Sequence, residues 1–156
     1  MKIREAQLEE SSDLLHLVQD AIVANAGRHY SAEQIRAWVS GFSEESIILA
    51  IRHTEALVVE IDEVIVGFGN IELSHLAIAR IHLLYVSSQF QRQGVGALLI
   101  RELEKQAAKA GKAFVEADAS LLAHGLFLNA GYSTREQYRK VNNGIEFLNS
   151  WVERSI

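Results

Sequence analysis

Along this chain the spacing of apolar positions switches between the period of a strand and that of a helix, and each switch predicts an element. Lys2–Ala6 reads as a first strand. Leu14, Leu15, Leu17, Val18, Ala21 and Ile22 recur at helical spacing and predict an amphipathic helix over Leu8–Asn25. Ser31-x-x-Gln34 has the form of a capping box and opens a second helix to about Val39, with a third from Ser43 to about Arg52. Leu57–Ile61 and Val64–Leu73 are β-branched runs that meet at Asp62-Glu63, so they form a hairpin. Ile78–Val86 is the next strand, followed by the main helix, Gly94–Ala110, with Gly111 as its C-cap. Lys112–Ala117 is a strand, and Leu121–Ala130 a helix ended by Gly131. Thr134–Val141 and Ile145–Val152 flank Asn142-Asn143-Gly144, a strong hairpin-turn signal. The order is β-α-α-α-β-β-β-α-β-α-β-β. No linker divides it, so residues 1–156 read as one domain.

The junction Gln91-Arg92-Gln93-Gly94-Val95-Gly96 changes this from a topology into a chemistry. It lies between the strand Ile78–Val86 and the helix carrying Leu98, Leu99, Ile100, Leu103 and Ala107. A strand, a glycine turn and a helix start point free N–H groups at one spot, at the positive end of the helix dipole. Glycine lets the backbone approach an anion without a Cβ in the way. Phosphate or pyrophosphate binding follows; an ordinary strand–helix turn is the plain alternative. No Gly-Lys-Ser/Thr follows, as a Walker A loop requires. Leu99 stands where a dinucleotide fingerprint has its third glycine.

The pattern Gln/Arg-x-x-Gly-x-Gly/Ala resembles the acetyl-CoA pyrophosphate loop of the GNAT superfamily of acyl-CoA N-acyltransferases. The resemblance extends over nearly the whole chain. Ile81-His82-Leu83-Leu84-Tyr85-Val86 is similar to the family's fourth strand. Ala123-His124-Gly125-Leu126-Phe127-Leu128-Asn129-Ala130-Gly131-Tyr132 resembles its later helix, and Ile3-Arg4-Glu5-Ala6 its N-terminus. Tyr30-Ser31-x-x-Gln34-Ile35-x-Ala37-Trp38 resembles a segment of one bacterial subgroup. The resemblance implies the GNAT acyltransferase fold, an α/β domain. Its mixed, mostly antiparallel sheet has splayed strands 4 and 5 and flanking helices. It also implies acetyl-CoA as cosubstrate and a primary amine as acceptor, joined by direct attack in a ternary complex. A non-catalytic acyl-CoA-binding or sensing module of the same fold is the second reading. A nucleotide- or phosphate-binding α/β domain is the third.

The resemblance assigns the cofactor to Gln91, Arg92, Gln93, Gly94, Val95, Gly96 and Ala97, through main-chain N–H groups. Leu84, Tyr85 and Val86 are assigned to the pantetheine arm, whose amides would take the place of a missing strand. At Gly94 and Gly96 a side chain would collide with the phosphates or strain the turn. Ser120 stands where relatives have a cofactor-contacting Asn and is equally a good N-cap. Phe127 stands where many relatives carry a proton-donating Tyr. It cannot donate, which leaves Tyr138, Tyr132, a water, or unassisted loss of the acidic thiol.

Strand alternation puts Arg80, His82 and Leu84 on one face and Ile81, Leu83 and Tyr85 on the other. Relatives often place a carboxylate at the start of this strand; here the cleft side carries Arg80 and His82. His82 is the candidate base, or else a residue that hydrogen-bonds inside the fold or holds a substrate group. His29, Tyr30 and Arg80 are the acceptor-site candidates, and Trp38 reads as core.

Composition adds exclusions. The chain has no Cys, so it forms neither a disulfide framework nor a thiolate metal site. His16, His53, His75 and His124 lack ligand spacing, so no metal is expected. No apolar run reaches the ~18 residues of a membrane span, and no signal peptide is evident, so a cytoplasmic protein is expected. The net charge of -5 argues against nucleic-acid binding and favours a cationic substrate. A homodimer is compatible with all of this.

Overall fold

A computed structural model describes residues 1–156. Seven strands form one sheet: β1 (Lys2–Glu5), β2 (Glu55–Ile61), β3 (Val64–Glu72), β4 (Ile78–Val86), β5 (Phe114–Ala119), β6 (Ser133–Asn142) and β7 (Ile145–Ser155). Their order is β1-β2-β3-β4-β5-β7-β6, with β4–β5 parallel and every other pair antiparallel. The five α-helices are α1 (Ser11–Asn25), α2 (Ala32–Ser40), α3 (Glu44–His53), α4 (Val95–Lys109) and α5 (Leu121–Asn129). This is the mixed, mostly antiparallel α/β architecture that the resemblance implies.

Local chemistry accounts for the boundaries. Ser31 and Gln34 form a reciprocal capping box at α2: Gln34 N–H donates to Ser31 Oγ, and Ser31 N–H to Gln34 Oε1. Ser43 and Ser46 do the same at α3. The β2–β3 turn holds Asp62 and Glu63 at positive φ, as do Asn143 and Gly144 in the β6–β7 turn. The first helix departs from expectation. Leu8–Glu10 is a separate 3-10 turn, and the α-helix starts only at Ser11. There the Gln7 N–H takes the Glu10 carboxylate, and Glu10 also holds Arg4.

The sheet buries a core on each face. On one side α4 and α5 pack Val95, Leu99, Leu103 and Phe127 against Val59, Val66, Ile81 and Val115. On the other, α1–α3 pack Leu14, Val18, Ile22 and Ile47 against Val58, Phe68 and Phe147. Helix α4 approaches β3 closely: a Cβ at Gly67 would lie 2.6 Å from Val95 Cγ1. No helix is long and apolar enough to cross a membrane.

The regular alternation expected in β4 is broken. Asn70 pairs with Leu83 but Ile71 pairs with Ile81, so His82 is an extra, bulged residue. Ile81 therefore packs on the α4 face together with Leu84 and Val86, while Leu83 and Tyr85 face α1–α3. The bulge changes the phase, which a strict period of two cannot express.

Candidate active site

Strands β4 and β5 separate after four register pairs, Ile78↔Phe114 to Ile81↔Ala117. Beyond them β4 stays with β3 (Leu84↔Gly69, Val86↔Gly67), while β5 stays with β7 (Asp118↔Trp151, Ala119↔Ser150). The divergence opens a cleft of about 490 Å³ between the two halves of the sheet.

The exposed edge of β4 is a row of strand backbone without a strand beside it. Leu83 N–H donates to Asn70 Oδ1 at 2.8 Å, on the β3 side. Strand alternation then turns the N–H and C=O of Leu84 into the gap. The Val86 carbonyl accepts from Gln91 Nε2 at 2.8 Å. Buried Asn70 also donates to Thr54 Oγ1 at 3.0 Å, so its side chain pins the bulge.

Where β4 ends, the chain turns through Gln91–Gly94 into α4. Arg92 (φ 60°) and Gly94 (φ 85°) take left-handed conformations. The first intrahelical donor is Leu98 N–H, to the Gly94 carbonyl at 2.9 Å. The N–H groups from Arg92 through Ala97 find no acceptor in the protein. Such a run at a helix start has the geometry of an anion nest, with the helix dipole behind it. The two glycines serve different ends. A Cβ at Gly94 would meet nothing within 4 Å, so that glycine is there for its φ. A Cβ at Gly96 would lie 2.7 Å from Leu126 Cδ2, so its crowding comes from α5.

The opposite end of the cleft is walled by α1, α2, β6 and β7, with His82, Asp118 and Lys140 as its basic and acidic side chains. His82 Nε2 lies 2.7 Å from Glu72 Oε2, and Ser74 Oγ donates to Glu72 Oε1 at 2.6 Å. The Ser74 hydroxyl, and after it His82, pulls the Glu72 carboxyl down to about 2. A carboxylate only accepts, so this bond calls for the proton on Nε2, and the tautomer that makes it has Nδ1 as its acceptor. Asp118 is held by three donors: Tyr138 Oη at 2.6 Å, Lys140 Nζ at 3.0 Å and Asn149 Nδ2 at 3.0 Å.

Of the residues singled out from the sequence, Tyr30, His82, Leu84, Tyr85, Val86, Gln91, Ser120 and Phe127 line this cleft. Arg92 through Ala97 adjoin it through Gln91. Ser120 Oγ accepts from Ala123 N–H at 3.2 Å, capping α5. Phe127 is buried, with its ring edge-on to Tyr132 at 5.1 Å. Tyr30 is buried too, and its hydroxyl accepts from Leu121 N–H at 2.8 Å. Three residues lie off the cleft wall. His29 is exposed on the surface. Arg80 sits across from buried Glu116 and donates to its Oε1 from Nε (3.0 Å) and Nη2 (2.6 Å), with its guanidinium 5.1 Å over Trp151. Tyr138 stacks on Trp151 and reaches the cleft only through Asp118; burial, then that hydrogen bond, pushes its hydroxyl well above the usual tyrosine range.

Sequence reasoning missed Glu72, Asn70 and Asp118. Glu72 stands ten residues before His82, and only the β3–β4 register joins them. Asp118 follows the last β5 residue paired with β4, a place visible only once the two strands part.

A family model for the acetyltransferase (GNAT) domain matches residues 26–151, and the chain belongs to that family. It is 27% identical over 152 residues to the uncharacterized N-acetyltransferase YafP of Escherichia coli (strain K12), covering 97% of this chain and 94% of that protein. Among solved structures it resembles a GCN5-related N-acetyltransferase from Rhodopseudomonas palustris, with a TM-score of 0.91 at 26% identity, covering 99% of this chain and 95% of that one. The fold is shared with the PaiA N-acetyltransferase of Thermoplasma acidophilum, solved in complex with coenzyme A. There the TM-score is 0.83 at 17% identity, covering 99% and 98% of the two chains.

Proposed function

We propose that this chain moves an acetyl group from acetyl-CoA to a primary amine by direct attack in a ternary complex. One observation carries the reading: the unpaired edge of β4 leads straight into the unpaired N–H row of Arg92–Ala97. An extended amide-bearing arm ending in a pyrophosphate fits both parts. That run of N–H groups would hold the phosphates, and Leu84 the arm's amides. Ser120 and Phe127 border the slot on the α5 side. Bound there, acetyl-CoA supplies an activated carbonyl and a thiolate leaving group.

The chain's own part is to position the amine and take its proton. An alkylammonium with a pKa near ~10.4 is almost wholly protonated at neutral pH, so a base is needed. His82 fits that role, since Glu72 directs Nδ1 as the acceptor. Phe127 offers the leaving thiolate no proton, and a thiol is acidic enough to leave without one. Tyr138 acts through Asp118, keeping that carboxylate in place beside the cleft. Arg80, held by Glu116, and exposed His29 lie off the cleft and take no part in this reading. A cytoplasmic setting belongs to the same reading.

The absence of a hydroxyl at Phe127 also favours a second reading, a module that binds acyl-CoA without turnover. Two measurements separate them. Acetyl-CoA and CoA raise the melting temperature under either reading, whereas release of free thiol on adding amines occurs only in an enzyme. No thermal shift with acetyl-CoA would overturn both.

A further inference from the structure

Five aromatic side chains surround the acceptor end of the cleft: Tyr30, Trp38, Phe42, Tyr85 and Phe147. They pack edge-on or tilted against one another, with centroids 5.1 Å apart for Tyr30–Trp38 and 5.8 Å for Phe42–Tyr85. Their polar atoms are engaged in the wall. Trp38 Nε1, a donor only, is spent on Tyr85 Oη at 3.1 Å, and the Tyr30 hydroxyl is bound to Leu121 N–H at 2.8 Å. These rings form the apolar part of the lining at this end, beside the amides of Asn25, Asn142 and Asn149.

The charges at this end point the same way. Asp118 is the one carboxylate of the cleft wall, and Lys140, Tyr138 and Asn149 already occupy it. Lys140 balances its charge. A molecule with several ammonium groups would bring each extra cation into an apolar wall without a counter-charge, which is costly. A single amine differs, because His82 relieves it of its proton.

We infer that the acceptor is a small primary monoamine with an aromatic body, its ring held by the Trp38–Phe42–Tyr85 wall and its nitrogen turned toward His82. The inference rests on the acetyltransferase reading above. An aromatic ring gains from edge-to-face contacts with these side chains, which the aliphatic stem of a lysine does not make.

The test uses the purified chain with acetyl-CoA, following thiol release. Phenethylamine and tryptamine are compared with spermidine, kanamycin and a peptide bearing a free N-terminus and a lysine. The arylalkylamines should give a kcat/KM at least about tenfold above the others, the scale on which an apolar pocket discriminates. Trp38→Ala should raise their KM about tenfold with kcat little changed, the mark of lost uniform binding. Phe42→Leu, which spares the Trp38–Tyr85 hydrogen bond, should act in the same direction if Trp38→Ala fails to fold. Preference for spermidine, kanamycin or the peptide would overturn the inference, as would an unchanged KM in the folded variants. Turnover of none of these amines by a chain that binds acetyl-CoA would also overturn it. If acetyl-CoA produces no thermal shift, the acetyltransferase reading falls and this one with it.

Discussion

Glu72 and His82 meet across the β4 bulge, Oε2 to Nε2 at 2.7 Å, because the extra residue in the strand is the histidine itself. The bulge breaks the alternation that would have aimed His82 by strand period alone, and Glu72 aims it instead. Removing the base should therefore cost far more than removing its support. His82→Ala should lower turnover by ~10²–10⁴-fold with acetyl-CoA affinity nearly unchanged. Glu72→Gln should cost less alone and nothing further in the His82→Ala background, since both act through one imidazole. Additive losses in a double-mutant cycle would separate the two residues.

Glu72 also makes a stability prediction with a definite sign. Its carboxyl falls from 4.5 to about 2 in the folded chain, so the stabilisation is complete above pH 4.5 and disappears as pH falls toward 2. Melting curves of wild type and Glu72→Gln should be well separated near neutrality and converge over that acid window. A constant separation at every pH would mean that the carboxylate's charge is not what stabilises.

The loop prediction turns on the difference between charge and strain at Gly94. Gly94→Ala meets no atom, so its cost is the left-handed φ alone, about 1–2 kcal/mol. It should lower the melting temperature and preserve the response to acetyl-CoA. Gly94→Glu adds a negative charge at the nest and should abolish that response in a chain that still folds. Equal thermal shifts in both variants would refute the anion site.

Gly96 leads to a different outcome. A Cβ there displaces the flexible end of Leu126, which borders the cleft, so Gly96→Ala should weaken acetyl-CoA binding more than it lowers stability. Trimming the neighbour in Gly96→Ala/Leu126→Ala should restore much of the affinity, as calorimetric titration would show.

Where residues act through local chemistry, the sequence was readable. Ser31-x-x-Gln34, Ser43, Asp62-Glu63, Asn143-Gly144 and Gly94 each report a cap or turn from a few neighbours, and each stands where its pattern placed it. The glycine loop also located one end of the cleft. Residues acting across strands were not readable. The Glu72–His82 pair depends on a register shift, and Arg80 is held off the cleft by Glu116, 36 positions away on the neighbouring strand. The Trp38–Tyr85 hydrogen bond spans 47 positions, and no spacing rule reaches that far.

The gap between β4 and β5 means that the sheet is joined across its middle by four residue pairs and otherwise by the helices packed over it. An extended ligand lying in that gap would act as a removable rung, completing a ladder that the chain leaves unfinished. Amide hydrogens that solvent can reach in the empty protein, Leu84 N–H foremost, would become slow to exchange. The two halves of the sheet would stiffen together, so part of the rigidity of the working molecule would be supplied by the ligand it binds.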